Sequence, residues 1–352
     1  MMWIWIVLAG AFSWGLAFLT RALARWSGAL DQPTGGRKIH AKPIPLLGGV
    51  GIGFVIMGAL FLATQMPDLL EGGRTLPTQF SGFLIGISLI LFIGVLDDYF
   101  GLPIWLRFFA YAVACVVVIV TGTRIEQVTR WIGHGGYSLI WWQWAWLKFP
   151  ADAITLVWLL GVTFATKFFD GLDGLVTGQT VIATLLIAGL ALSHAYSQPE
   201  IAVLALMIGA AFLGFLPHNF YPAKQFLGEA GSALAGFTLG FLAIVSGAKV
   251  ATALMALGLP LADASLVVFG RLIRGTSPFR GDDTHLHFKL LKAGLSQRQV
   301  VMILWTIALL FGLAAFGVQT RGKVLLLIVL VGVTILLPFF VRVMRRSRIP
   351  KV

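Results

Sequence analysis

Asp170 and Asp173 stand three residues apart in Thr166-Lys167-Phe168-Phe169-Asp170-Gly171-Leu172-Asp173-Gly174-Leu175. On a helix end that spacing puts two carboxylates on one face, within reach of a common ion. Gly171 and Gly174 permit bends or close backbone approach, so a helix terminus opening into a turn is expected there. Taken alone, the stretch reads equally well as a turn with two solvated aspartates. Other groups of this kind recur along the chain: Asp97-Asp98, Glu229 in Gly228-Glu229-Ala230-Gly231-Ser232, and the segment Ser277-Pro278-Phe279-Arg280-Gly281-Asp282-Asp283-Thr284-His285-Leu286-His287. Carboxylates gathered at one place repel each other unless a cation sits among them. Magnesium suits such a set, because it commonly takes one or two carboxylates and leaves positions for water and substrate phosphates. The chemistry that follows is a clamped diphosphate and phosphoryl transfer. Arg280, Lys167, Lys38 and Lys42 are cations suited to phosphate oxygens. An His-x-His pair also occurs in zinc sites. With no Cys near it and hard carboxylate ligands elsewhere, magnesium is the better match.

The elements that must position these groups are membrane helices. The 352 residues are 58% hydrophobic and only 11% charged, with a mean hydropathy of +0.91, outside the range of soluble domains. Apolar runs of membrane-spanning length recur between short polar joints, and the alternation that would mark a transmembrane barrel is absent. An all-α, polytopic chain is expected, of about eleven spans or else ten, forming a single domain over 1–352. The net charge of +12 belongs to loops that flank spans, not to a compact basic domain, so nucleic acid is not an expected partner. The single Cys115 excludes a disulfide framework.

The expected spans fall near 2–20, 47–65, 80–96, 102–121, 152–168, 178–195, 200–216, 233–247, 250–264, 299–318 and 324–341. The Trp-rich joint 122–151 is expected to lie at the membrane–water interface, and 265–298 to be the longest polar loop. Counting alternate joints, one side receives about 19 of the 26 Lys and Arg and is therefore cytoplasmic by the positive-inside rule. That places the N-terminus outside and the C-terminus in the cytoplasm. Asp97, Asp98, Asp170, Asp173, Glu229, Asp282, Asp283, His40, His285 and His287 all fall on the same cytoplasmic face, where an active site is expected.

Four motifs in order carry a resemblance that covers nearly the whole chain: Asp97-Asp98, Asp170-Gly171-Leu172-Asp173-Gly174-Leu175, Phe226-Leu227-Gly228-Glu229-Ala230-Gly231-Ser232, and Ser277-Pro278-Phe279 through His285-Leu286-His287. With the opening loop Arg37-Lys38-Ile39-His40, they resemble the polyprenyl-phosphate N-acetylhexosamine-1-phosphate transferases, the membrane type of glycosyltransferase family 4. Within it the chain is more similar to the bacterial undecaprenyl-phosphate N-acetylglucosamine-1-phosphate transferases that start O-antigen, teichoic acid and related glycans. The Pro-x-His-His-His-x-Glu segment of the muramoyl-pentapeptide branch is absent.

The resemblance implies a reaction in a prokaryotic inner membrane. A UDP-N-acetylhexosamine gives sugar-1-phosphate to a polyprenyl phosphate and releases UMP, with magnesium, or manganese in its place. It implies Asp97 and Asp98 as the pair at the lipid phosphate, and Asp170 and Asp173 as catalytic carboxylates at the metal and nucleotide. Glu229 stands where the family usually has a metal-binding Asp, so the implied metal set is Asp98, Asp173 and Glu229. The substrate-binding set is Lys38, His40, Lys167, Asn219, Arg280, Asp282, His285 and His287. Whether the chain is a homodimer stays open. Four positions depart from the pattern: Lys167 and Phe164 replace Asn, Glu229 replaces Asp, and Phe288 replaces a third imidazole. An ion-coupled transporter would place acids near mid-span on inverted repeats, which this chain does not show. An intramembrane prenyltransferase would need a further Asp after Asp97-Asp98 and would leave the 277–287 loop idle.

Overall fold

Helices that are apolar all round, with no polar stripe, belong in a protein interior or in lipid, and they make up most of this chain. The computed structural model describes residues 2–33, 40–64, 77–129, 136–193, 197–246, 257–277 and 283–346. Among them the helices are α1 Met2–Ser27, α2 Gly48–Thr64, α3 Pro77–Phe100, α4 Ile104–Val120, α5 Ala151–Phe169, α6 Leu175–Ala191, α7 Pro199–Asn219, α8 Gly228–Val245, α9 Gly258–Ile273, α10 Leu286–Lys292, α11 Gln297–Ala314 and α12 Thr320–Arg346. Seven of these (α1, α3, α5, α7, α8, α11 and α12) are long and apolar enough to cross a membrane, and α2, α4 and α6 are shorter apolar helices.

The expected span at 250–264 is displaced. Residues 247–256 lie outside the described ones, and the helix that follows, α9, runs from Gly258 to Ile273. It carries Asp263 and Arg271, both buried, and its last turns, not a polar loop, occupy the start of 265–298. The seven-residue α10 takes another part of that segment. Span seven likewise runs past its expected end at 216, through Pro217 to Asn219, because the His218 ring packs between Phe18 and Phe215.

The chain is mostly helical, as expected, with a little strand added. Three short antiparallel pairs are present: β1 Leu30–Asp31 with β2 Ile44–Pro45, β3 Gln127–Thr129 with β4 Gly136–Ser138, and β5 Ile140–Trp144 with β6 Leu147–Pro150. The last two pairs lie in the Trp-rich joint. There Trp141 and Trp144 are 75% and 71% exposed, as interfacial aromatics would be, and a buried Arg124–Asp152 pair at 2.5 Å ties the joint to the start of α5.

Helix α8 is the centre of the array, with 83% of its apolar window buried, and it packs against α2, α3, α5 and α6. Its small residues allow that. A Cβ on Gly94 of α3 would lie 2.4 Å from the Ala230 Cα, and one on Gly49 of α2 would lie 2.2 Å from the Gly231 backbone, the close approach that small residues give membrane helices. Through these contacts the first turn of α8 is held against the last turn of α3 and the end of α5. Tyr99 beside that turn donates to Ser27 Oγ at 2.5 Å, so α1 ends at this level and starts at the far one.

Candidate active site

Asp97 and Asp98 sit in the last turn of α3. Asp98 Oδ1 accepts the Glu229 backbone N–H at 2.8 Å, which satisfies one of the free amides at the start of α8 and sets a negative charge at its positive end. Gly228 makes the approach feasible: its φ is +73°, and a Cβ there would lie 2.4 Å from Asp98 Oδ2. Asp97 Oδ2 accepts from Arg107 Nη1 at 3.2 Å. The other two oxygens, Asp97 Oδ1 and Asp98 Oδ2, are buried with no hydrogen-bond partner among the described residues.

Glu229 is heavily engaged. Its Oε1 accepts from Lys167 Nζ and from the Tyr111 hydroxyl at 2.9 Å, and Arg107 Nη1 lies 3.5 Å away. Lys167 Nζ is also 4.8 Å from the Tyr111 ring centre and 5.1 Å from that of Phe164, a cation–π cradle. The ammonium at 167 is thus the ion partner of Glu229 from the neighbouring helix. Removing one member of a half-buried pair strands the other. Lys167→Met should therefore lower the unfolding temperature by roughly 5 °C, and adding Glu229→Gln should recover most of that loss. Thermal unfolding of the two variants in detergent checks it.

The decapeptide forms the turn expected of it. Helix α5 ends at Phe169, Asp170 donates its N–H to Lys167 O at 3.2 Å, and α6 begins at Leu175 after Gly174 at φ +78°. Asp173 Oδ2 accepts the Ala223 N–H at 2.9 Å. Burial first, then the charges of Glu229 and Asp173, push the Asp170 carboxyl up to about 7. Asn219 braces this turn from the end of α7. Its Oδ1 accepts from Gly174 N–H at 3.2 Å and Thr177 Oγ1 at 2.6 Å, and its Nδ2 donates to Gln225 O at 3.0 Å. The Asn219 amide is 4% exposed, so its hydrogen-bonding capacity serves the turn and the Thr177 hydroxyl beside it.

His287 lies under the same turn, fully buried, with neither ring nitrogen paired among the described residues. Its ring stands edge-on to Phe169 at 5.9 Å and stacks with His285 at 5.8 Å and 8°. Burial pushes the His287 imidazole down to about 3, so it is neutral. His285 Nδ1 is 2.8 Å from Asp263 Oδ2. His40 bridges Asp31 Oδ2 at 2.9 Å and Lys42 O at 2.8 Å, and packs edge-on at 5.5 Å against Phe226, two residues before α8.

The structure therefore joins Asp97, Asp98, Lys167 and Glu229 in one cluster, with Asp170 coupled to it and the Asp173 and His285–His287 groups around the next turn. Lys38, Arg280 and Asp282 lie outside the described residues. Asp98, Asp173 and Glu229 are not brought together as three ligands of one ion: among the described residues no group of three or more His, Cys, Asp or Glu is arranged to hold a metal. Asp173 turns to the Ala223 amide and Glu229 to its cations instead. Sequence reasoning missed Arg107, Tyr111 and Asp263 as parts of the site. Asp263 carried a signal, being an acid inside an apolar run. Tyr111 carried none, since an aromatic on a membrane helix is ordinary.

The glycosyl transferase family 4 profile matches residues 80–247, the stretch from α3 to the end of α8. The chain is 33% identical to the decaprenyl-phosphate N-acetylglucosaminephosphotransferase of Mycobacterium tuberculosis, over 92% of this chain and 85% of that one. It is 29% identical to the probable undecaprenyl-phosphate N-acetylglucosaminyl 1-phosphate transferase of Bacillus subtilis, over 86% and 80%. It is 32% identical to the phospho-N-acetylmuramoyl-pentapeptide-transferase of Desulforamulus reducens, over 76% and 80%. With motif order, site geometry and near full-length similarity in agreement, the chain belongs to glycosyl transferase family 4 as a membrane phosphotransferase.

Proposed function

We propose that this protein transfers N-acetylglucosamine-1-phosphate from its UDP derivative to undecaprenyl phosphate, releasing UMP, as the first step of a cell-envelope glycan. The observation that carries this reading is the convergence of Asp97, Asp98, Arg107, Lys167, Asp170 and Glu229 at one end of the helix array, the level at which a lipid phosphate head lies. The relatives' names supply the sugar and the lipid. The excess of Lys and Arg in the joints on that side makes it the cytoplasmic face, with the N-terminus outside and the C-terminus inside.

In this reading an oxygen of the lipid phosphate attacks the sugar-linked phosphorus of the donor. A P–O bond forms there, the bond from that phosphorus to the bridging oxygen breaks, and the electron pair leaves on UMP. A lipid phosphate dianion is nucleophilic without a general base, so the residues orient and neutralise. Arg107 and Lys167 supply fixed positive charge beside the carboxylates. Asp170 and Asp173 line the turn assigned to the nucleotide, and His285 and His287 are assigned to the sugar diphosphate, the role this reading also gives Arg280 and Asp282. Lys38 and His40 are assigned to phosphate oxygens as well. Asp97 Oδ1 and Asp98 Oδ2, acceptors with no partner among the described residues, fit magnesium or manganese held by two carboxylates and substrate phosphate. When bound, such an ion neutralises phosphoryl oxygens.

The test is UMP release by purified protein supplied with magnesium, undecaprenyl phosphate and a panel of UDP-N-acetylhexosamines. Release with the N-acetylglucosamine donor is expected, and no UMP with any donor from folded, lipid-supplied protein would sink the reading.

A further inference from the structure

Asp263 lies within α9, in the run Gly258-Leu259-Pro260-Leu261-Ala262-Asp263-Ala264-Ser265-Leu266, and is 3% exposed. An acid in such surroundings is costly unless its oxygens are paired. Both of them are, and by one short stretch of chain. Asp263 Oδ1 accepts the Leu286 N–H at 2.7 Å, and Oδ2 faces His285 Nδ1 at 2.8 Å. Leu286 is the first residue of α10 and His285 its N-cap, so the carboxylate takes an amide that the helix leaves unpaired and the adjacent imidazole in the same grip. The His285 ring is further confined between Phe168 at 6.0 Å and the parallel His287 ring at 5.8 Å. A carboxylate only accepts, so the nitrogen facing it carries the proton.

We propose that Asp263 is a positioning residue that acts through His285, fixing the ring and holding its proton on Nδ1 so that Nε2 is the nitrogen presented to the sugar diphosphate. The inference rests on the transferase reading for what His285 meets, but the contact itself is measured without turnover. Asparagine at 263 keeps the oxygen for Leu286 while aiming an N–H₂ group at Nδ1. That forces the His285 proton onto Nε2, the kind of tautomer error that costs a Ser-His-Asp enzyme most of its rate.

The experiment is nitrogen NMR of histidine-labelled protein in lipid, with the His285 signal assigned by its loss in His285→Gln, alongside UMP release. In the wild type Nδ1 is expected to be protonated; in Asp263→Asn it is expected to be unprotonated, with kcat at least tenfold lower. An unprotonated Nδ1 in the wild type overturns the proposal even if the variant fails to fold. So does a variant that keeps Nδ1 protonated, or one that turns over within twofold of wild type. If the wild type releases no UMP from any donor, the transferase reading fails separately, and the NMR arm still decides whether Asp263 sets the ring.

Discussion

Asp98→Asn is expected to lower turnover by about 10³ while leaving the protein folded, in line with the loss of a preorganised electrostatic group at a phosphoryl centre. The reason lies in the division of labour between the two oxygens of Asp98. Oδ1 holds the Glu229 amide at 2.8 Å, and an asparagine oxygen can do the same, so the junction of α3 and α8 persists. Oδ2 is buried beside Gly228 with no partner among the described residues, and there the substitution replaces an acceptor of cations by a donor. UMP release and thermal unfolding measured on the same preparation check this. Turnover within a few-fold of wild type would mean that Asp98 only caps α8, and the phosphate chemistry would have to be sought elsewhere.

Gly171→Ala should cost roughly 10² in kcat/KM, the scale on which a misplacement of about 1 Å at a reacting centre is felt. The added Cβ would lie 2.1 Å from His287 Nε2, 2.9 Å from Cδ2 and 3.0 Å from Cε1. The obstacle is a rigid ring, fully buried, stacked on His285 and edge-on to Phe169. It cannot rotate away as a flexible chain end would, so either the ring pair or the Asp170–Asp173 turn must move. Gly161→Ala, one helix turn and more upstream in α5 where a Cβ meets nothing within 4 Å, is the control and should be silent. Equal losses at both positions in the steady-state assay would show that the loss does not come from the contact with His287.

The helical frame was legible because runs of apolar residues between basic joints leave few alternatives in a membrane. The turn at 170–174 was legible too, since two glycines after a span announce a stop. The hairpins in 127–150 were not. Their tryptophans signalled an interface, but an interface constrains where a segment lies and not how its backbone pairs. The continuation of α9 past 264 was missed for a related reason: Arg271 depresses the hydropathy of a segment that stays helical because its charge is buried against protein. The clustering of candidates at one end followed from topology alone. The ligand set did not, because spacing along the chain is silent about which carboxylate is answered by a cation from another helix. Lys167, 62 residues before Glu229, shows how far apart such partners can be.

The burial of α8 has one more consequence. Glu229 and, through its amide, Asp98 are fastened to the helix with 83% of its window inside the array, whereas α11 and α12 have 33% and 11% of theirs inside; α9 packs on α5 as well as on α12, and α10 on α11 and α12. The acidic side of the site stands on α8, and the imidazole side on α9 and α10, with α9 packed on α5. Relative motion is cheapest where fewest apolar contacts must be remade, so α11 and α12, at the edge of the array, shift at least cost while the floor on which phosphorus changes partners stays in place.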